Sequence, residues 1–424
     1  MNAYLNNRSV RDSANYKREF CMAHQSPIVF APANDKIPFV MEVETTQLVQ
    51  TIHDAPERIV LVAAGAGTEA LSNLLGVAGA TRTLLEALVP YSKAAFDEFL
   101  GKAPAKYVTE RTARLLAGRA FTRARWLDAA THPVVGLACT ATIVTDRPKR
   151  GEHRAFIATW QPDRLVEYGI QLNKGYRDRA GEENLVSRII LNALAGAMSL
   201  ETQLPTNLTD DDKLTISTHH FGQAAQQLNR GELDYFGVTA DGRIRSKNVN
   251  PQALLSGSFN PLHDGHLELL QVSADLLGHP VAFEISAQNV DKPPIEPETI
   301  VERIAQFAGR WPVYATNAPT YLEKARLFPN TVFVIGFDTA ERVLRSRYYQ
   351  NSTAQRDAAL HEIGEHGCSF LVAGRQDKNG VFRDGEQLDV PESFSKLFAP
   401  IPTDAFRKDI SSTELRATGQ RGSR

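Results

Sequence analysis

Two histidines and a glycine-rich turn lie close together in the stretch ALLSGSFNPLHDGHLELL, from Ala253 to Leu270. An apolar run leads into Gly257, and a helical pattern begins near His266. A glycine at that point lets the backbone turn sharply and leaves amide groups open to a phosphate. His263 and His266 are three residues apart, so at a helix start they share one face. Two imidazoles beside the free amides and dipole of a helix N-terminus form a site for a developing anion.

A second motif, ISSTELR, occupies Ile410–Arg416 near the other end of the chain. The hydroxyls of Ser411, Ser412 and Thr413 can hydrogen-bond to phosphate oxygens, and they can also cap a helix. Arg416 supplies a guanidinium fork that fits a phosphate. In isolation such a motif is more typical of a helix cap, but its pairing with HxGH favours phosphate binding.

Together, GSFNPLHDGH and ISSTELR resemble the signature of the HxGH nucleotidylyltransferase superfamily. With VIGFD at 334–338, the ISST…R form most resembles the nicotinamide or nicotinate mononucleotide adenylyltransferases, over roughly 253–416. The resemblance implies an enzyme that transfers AMP from ATP to nicotinamide or nicotinate mononucleotide and releases pyrophosphate. Transfer of CMP from CTP is the second choice.

The resemblance also implies a role for each matching residue. His263, His266 and Arg416 would be catalytic, and the nucleotide would be bound by Gly257, Ser258, Phe259, Asn260, Gly336, Asp338, Ser411, Ser412 and Thr413. Asp338 would accept hydrogen bonds from ribose hydroxyls, or else only cap the next helix. Lys292, in VDKPPI, would contact the phosphates or the acceptor, or else lie in a solvated loop. Mg²⁺ is expected on the triphosphate rather than at a protein metal site, because magnesium keeps most of its waters.

Two alternatives to this function remain open from the sequence. The acceptor could instead be a phosphopantetheine or a polyol phosphate, although the terminal ISST…R motif argues against both. In a different class, the protein could be a nucleotide-binding regulator that keeps the fold without turnover. The presence of both histidines, Ser412 and Arg416 counts against a regulator.

The first half of the chain carries a weaker pattern. GAGTEA (Gly65 to Ala70) follows the apolar run at 59–64 and matches GxGxxA, with Glu86 about twenty residues later, as in a dinucleotide-binding fingerprint. Such turns are common, however, and Glu86 lies in RTLLEALV, which could equally be a helix.

A better match for this half is the CinA-like C-terminal domain, whose bacterial relatives deamidate nicotinamide mononucleotide. The resemblance rests on the order of Ala63–Thr68, then GVAGAT (76–81), VPYS (89–92), VTERTA (108–113) and the run at 135–142. The family's serine is absent from AAGAGT, its lysine is Phe96 here, and its glycine-rich loop is replaced by TDRPKRGEHR (145–154). We therefore expect a domain without deamidase chemistry that binds ligands or mediates homo-oligomerisation, with Thr68 as the alternative nucleophile.

The elements that would position these motifs predict an α/β protein. A separate CinA-like α/β domain would precede a Rossmann-like, doubly wound parallel sheet, whose ligands bind beyond the carboxyl ends of the strands. The expected divisions are a tail at 1–39, the first domain at 40–200, a connector at 201–250 and the transferase domain at 251–424. One helix is predicted from Thr109 to about Arg119, and another is predicted to begin at Glu183. TADGRI (239–244) is expected to be a hairpin turn. The predicted strands of the last domain are 253–256, 281–286, 313–315, 331–335 and 369–373.

Composition excludes several other classes of function. Among 424 residues, 47 Lys and Arg face 49 Asp and Glu, so the formal charge of −2 gives no support for a nucleic-acid or acidic-membrane partner. The three cysteines are far apart and form no CxxC pair, which argues against a disulfide scaffold or zinc cluster and fits a reducing cytosol. No apolar run reaches the length of about 20 residues that a membrane helix needs. The expectation is a cytoplasmic protein with an anionic small-molecule substrate.

Overall fold

The computed structural model describes residues 41–128, 132–147, 149–288, 290, 293–376 and 381–407. Among these residues, two large sheets and one short two-stranded ribbon are present. The predicted tail, Lys292 and the whole ISSTELR motif lie outside the described residues.

Six strands of the described chain form the first sheet, in the order β2-β1-β3-β4-β5-β6. The strands β2, β1 and β3 are parallel, and β3 to β6 are antiparallel. Its elements are α1 (Val43–Asp54), β1 (Arg58–Ala64), α2 (Thr68–Gly76), α3 (Ala80–Thr83), β2 (Leu84–Leu88), α4 (Lys93–Leu100), α5 (Glu110–Asp128), β3 (Val134–Thr142), β4 (Arg154–Trp160), β5 (Arg164–Gln171), α6 (Arg179–Ala197) and β6 (Lys213–His220).

The second sheet contains eight strands of the described residues, in the order β16-β13-β12-β9-β10-β11-β7-β8. From β16 to β11 all neighbours are parallel, as predicted, whereas β7 and β8 add an antiparallel edge. Its elements are α7 (Phe221–Asn229), β7 (Tyr235–Val238), β8 (Ile244–Arg245), β9 (Ala253–Ser256), α8 (Asp264–Leu277), β10 (Ala282–Ser286), α9 (Pro297–Ile304), β11 (Val313–Thr316), α10 (Tyr321–Leu327), β12 (Val332–Gly336), α11 (Phe337–Leu344), α12 (Thr353–Glu365), β13 (Ser369–Ala373) and β16 (Phe398–Pro400). The ribbon pairs β14 (Arg375–Gln376) with β15 (Phe382–Arg383).

Several predicted elements are confirmed, and others need correction. The hairpin turn at Asp241–Gly242 joins β7 to β8, and the five predicted strands of the second sheet agree within a residue or two. The helix α5 continues to Asp128 rather than ending near Arg119, because Ala120, Phe121 and Ala124 extend its buried face. The helix α6 begins at Arg179, four residues before Glu183, where Asp178 caps it by accepting from Gly181.

Residues 201–250, predicted to be a connector, contribute to both sheets. They supply β6 to the first sheet and β7 and β8 to the second sheet, and the helix α7 lies between β6 and β7 in the chain. The strand β6 was not predicted because it is an edge strand, exposed along most of its length, and therefore lacks an apolar alternation. The two sheets are thus linked by structured elements.

The helix α5 lies at the contact between the two sheets. One apolar core includes Phe121 of this helix, Phe236 of β7 and Phe283 of β10. Gly118 of α5 lies against Gly309, where a Cβ would come within 2.4 Å of the backbone nitrogen. Because so close an approach tolerates no side chain, glycine is required at this point.

A buried ion pair lies at the same junction. Nη2 of Arg114, in α5, donates to Asp241 Oδ2 at 2.8 Å, and both side chains are 5% exposed. Nη1 of Arg114 also contacts Glu167 of β5. The guanidinium therefore joins the first sheet to the β7–β8 turn.

Candidate functional site

The loop between β9 and α8 is held by its own phenylalanine. Phe259 has a φ of 43°, in the left-handed region, and its side chain is 1% exposed. The ring packs edge-to-face against His266, Phe283 and Phe307, at centroid distances of 4.9, 5.0 and 5.6 Å. A Cβ at Gly257 would lie 2.7 Å from this ring, so glycine is needed for the ring to turn inward. Phe259, predicted to bind nucleotide, thus has its side chain in the core, where it supports the loop and His266.

Gln306 fixes the same loop from outside. Its Nε2 donates to the carbonyl of Phe259 at 2.9 Å, and its Oε1 accepts from the backbone N–H of Leu262 at 2.8 Å. One amide side chain therefore holds both ends of the turn before His263. Sequence reasoning missed this residue, since Gln306 appeared only as a polar position between the apolar residues Ile304 and Phe307.

The two histidines meet at the first turn of α8. His263 is the residue before the helix, and its backbone N–H donates to His266 Nδ1 at 3.2 Å. The rings stack with centroids 3.6 Å apart and an interplanar angle of 24°. Because a backbone N–H can only donate, Nδ1 of His266 must be unprotonated, and the ring proton lies on Nε2.

Both imidazoles are neutral near pH 7. Burial, together with the nearby His263 and Arg375, lowers the pKa of His266 to about 3. Burial also lowers the pKa of His263, where Asp264 acts in the opposite direction and Arg375 in the same one. Neutral imidazoles at a helix N-terminus can donate hydrogen bonds to an anion without being cations themselves.

The neighbouring strand β12 brings a second pair of predicted residues to this edge. Gly336 caps α11, and a Cβ there would meet no heavy atom within 4 Å, so the space above it is open. Asp338, in the first turn of α11, pairs with Arg375 of β14 at 3.1 Å. Arg375 was not predicted from the sequence, where RQ after a buried strand carries no distinguishing pattern.

The remaining predicted residues divide into two groups. Ser258 and Asn260 are exposed at the surface of the loop. The others cannot be placed, because they lie outside the described residues: Lys292, Ser411, Ser412, Thr413 and Arg416. The structure therefore brings His263, His266 and the glycine turn together at the carboxyl end of β9, with Gly336 at the end of the adjacent strand and Asp338 in the helix that follows it.

The glycine turn of the first sheet is occupied by the protein itself. One carboxylate oxygen of Glu183, in α6, accepts from the backbone N–H groups of Gly67 and Glu69 at 2.8 and 3.1 Å. The same oxygen accepts from the Thr68 hydroxyl at 3.1 Å. Glu86 lies in β2 and pairs with Arg123 at 2.8 Å. A side-chain carboxylate thus fills the position at the start of α2 that a phosphate would take in a dinucleotide-binding turn.

The described residues hold neither a candidate metal cluster nor a helix that could span a membrane. Across the described ranges, no group of three or more His, Cys, Asp or Glu side chains could hold a metal ion. No helix in the part of the chain described here is long and apolar enough to cross a membrane.

The part of the chain from β9 onward matches a known protein family. Residues 254–418 match the family model described as Cytidylyltransferase-like. Over 181 residues the chain is 25% identical to the "Putative nicotinamide mononucleotide adenylyltransferase" of Schizosaccharomyces pombe, covering 39% of this chain and 69% of that protein. The C-terminal part of the chain is therefore a nucleotidyltransferase domain.

Solved structures similar to this chain include competence/damage-inducible proteins. The protein CihA from Agrobacterium tumefaciens has a TM-score of 0.32 at 17% identity, covering 38% of this chain and 98% of its own. A CinA superfamily protein from Escherichia coli has a TM-score of 0.30 at 18% identity, covering 39% of this chain and 96% of its own.

Proposed function

We propose that the nucleotidyltransferase domain transfers AMP from ATP to nicotinamide or nicotinate mononucleotide and releases pyrophosphate, with CTP as the second choice of donor. The observation that carries the proposal is the pair His263–His266 at the start of α8, at the carboxyl end of β9. The family match and the name of the fission-yeast relative support this choice of reaction and acceptor.

The chemistry needs positioning and charge stabilisation more than a covalent group on the protein. An oxygen of the acceptor phosphate, already ionised at neutral pH, attacks the α-phosphorus of the triphosphate. A new P–O bond forms there while the bond from the α-phosphorus to the bridging oxygen breaks, and pyrophosphate leaves with that electron pair. In this scheme His266 donates from Nε2–H to an α-phosphate oxygen, and the amides of the first turn of α8 reinforce it.

Other residues would bind the rest of the donor. Asp338 would accept from ribose hydroxyls beside the open backbone of Gly336, while Ser411–Thr413 and Arg416 would hold the triphosphate, as their motif implies. Lys292 would contact the phosphates or the acceptor. Magnesium would enter with the triphosphate as part of the substrate and neutralise charge on its oxygens.

For the first domain we propose a role without deamidase chemistry. The bonds from Gly67, Thr68 and Glu69 to Glu183 support this, because the hydroxyl and amides at the glycine turn already have a partner. A binding or oligomerising role remains the expectation, and size measurement in solution would test self-association.

A pyrophosphate-release screen tests the reaction directly. The full chain is incubated with magnesium and either ATP or CTP, and with nicotinamide mononucleotide, nicotinate mononucleotide, phosphopantetheine or a polyol phosphate. We expect the highest turnover with ATP and one of the two pyridine mononucleotides. Faster release with phosphopantetheine or a polyol phosphate would refute the acceptor, and no release with any pair would favour a regulator.

A matched pair of variants tests the histidine. His266→Ala should lower turnover by at least about a hundredfold, since one oriented donor to the transition state contributes roughly that much. His361→Ala, which changes an exposed histidine on α12, should leave turnover unchanged. Turnover of the His266 variant at the parent rate would contradict the assignment.

A further inference from the structure

We propose that Arg375 is a triphosphate-binding residue and that Asp338 positions it. This inference rests on the proposed function, and it adds a residue that neither sequence motif contains. Arg375 lies on the short ribbon that follows β13, outside both HxGH and ISSTELR.

The order of the second sheet places this arginine at the right edge. The strands β9, β12 and β13 are adjacent and parallel, so their carboxyl ends lie side by side. Gly336, the last residue of β12, is paired with Ala373, the last residue of β13. Arg375 follows two residues later. It therefore emerges beside the open backbone of Gly336 and near the loop that leads to His263.

A cation at this edge would add to the groups proposed to bind the triphosphate. A nucleoside triphosphate carries several negative charges, whereas the two imidazoles are neutral because burial lowers their pKa values. The positive charge of Arg375 contributes to the lowering at both His263 and His266, which places the guanidinium within electrostatic reach of both rings. An arginine there offers a planar fork of donors for phosphate oxygens.

The guanidinium is held but not buried. Its Nη1 lies 3.1 Å from Asp338 Oδ2, and the two side chains are 52% and 49% exposed. An ion pair this exposed contributes little to stability, so its replacement by a phosphate costs little. Asp338 thus keeps Arg375 at the edge of the site in the free protein, and an arriving triphosphate can take over its donors.

A second pair on α11 provides a matched control. Arg345 pairs with Glu341 at 3.0 Å, and Arg345 is also 52% exposed. Glu341 lies in the second half of α11 and Arg345 directly follows the helix. Asp338, in contrast, is in the first turn, at the carboxyl edge of the sheet. A general effect of losing a surface arginine would appear equally in both variants.

The experiment measures binding and turnover separately on the full chain. Tripolyphosphate with magnesium and ATP with magnesium are titrated by calorimetry into the parent protein, Arg375→Gln, Arg375→Lys and Arg345→Gln. We expect Arg375→Gln to weaken both ligands about ten- to a hundredfold, as the loss of charge-assisted hydrogen bonds implies. Arg375→Lys should fall between this variant and the parent, because it keeps the charge without the fork. Arg345→Gln should stay within twofold of the parent.

A positioning role for Asp338 has its own signature. Asp338→Asn should weaken binding of tripolyphosphate, which has no ribose to contact Asp338, and raise KM for ATP more than it lowers kcat, since the arginine is still present but less well placed. Equal binding by Arg375→Gln and the parent would overturn the proposal, and so would a parent that binds neither tripolyphosphate nor ATP. A parent that binds tripolyphosphate through Arg375 but releases no pyrophosphate with any acceptor would refute the proposed function alone.

Discussion

The bonds from Gln306 to the histidine loop predict a mutant whose activity loss exceeds what its stability loss explains. The change Gln306→Leu keeps the size of the side chain but removes its three hydrogen bonds, to the carbonyls of Phe259 and Arg303 and the N–H of Leu262. At about 1 kcal/mol per neutral hydrogen bond, the free energy of unfolding should fall by about 3 kcal/mol. The fold should therefore survive.

Catalysis should be more sensitive than folding. Phe259 is held at a φ of 43°, a left-handed conformation that costs a non-glycine residue roughly 1–2 kcal/mol. Without the amide the loop can relax toward an ordinary conformation, and that movement carries His263 and His266 with it. A displacement of about 1 Å at a reacting centre costs on the order of a hundredfold in rate. We therefore expect kcat to fall about ten- to a hundredfold.

The assay compares two glutamine variants by pyrophosphate release and urea unfolding. Gln271→Leu is the control, because Gln271 is exposed on α8 and its side chain bonds to Asp275 of the same helix, at 2.9 Å. Its turnover and stability should both stay near those of the parent. If Gln306→Leu lost stability as expected but kept kcat within twofold, the loop would not depend on this amide, and the reasoning would be refuted.

Two further predictions concern stability. The pKa of His266 is about 3 in the folded protein and about 6.5 in the unfolded chain. Between these pH values the unfolded chain binds one more proton than the folded protein. The free energy of unfolding should therefore rise with pH from about 3 to 6.5 and then level off. Urea midpoints of His266→Asn should show a shallower rise, and an identical pH profile would contradict the low pKa. Arg114→Met should lose about 3 kcal/mol in denaturant unfolding, since it removes the buried cation of Glu167 and leaves Asp241 paired with the more exposed Arg243. Arg82→Met, at an exposed pair with Asp54, should lose less than about 1 kcal/mol in the free energy of unfolding. Equal losses in the Arg114 and Arg82 variants would show that burial does not set the contribution of the Arg114 pair.

Prediction from sequence was most accurate for elements that are recognised by the pattern of their own residues. Parallel strands buried on both faces appear as continuous apolar runs, and each of the five predicted runs of the second sheet lies within a residue or two of an observed strand. Gly278 ends α8 at a φ of 69°, a left-handed conformation that glycine adopts without strain. The errors fell on β6 and on the ends of α5 and α6. The strand β6 is exposed along most of its length and the first residues of α6 are exposed, so they show no apolar pattern. Near the end of α5, Arg123 and Arg125 interrupt the apolar pattern.

The same distinction holds for the candidate site, where some features depend on neighbouring residues and others on distant ones. By themselves, HxGH after a strand and glycine place two imidazoles at a helix start, and this follows from chain-local geometry in any α/β fold. The sequence therefore determined the class of chemistry. Only the tertiary structure decided that Phe259 points into the core, that Gln306 holds its carbonyl from 47 residues away, and that Arg375 pairs with Asp338. The physical reason is that hydrogen-bond partners distant in the chain, and burial that keeps both histidines neutral, depend on which strands become neighbours. No spacing within a motif carries that information.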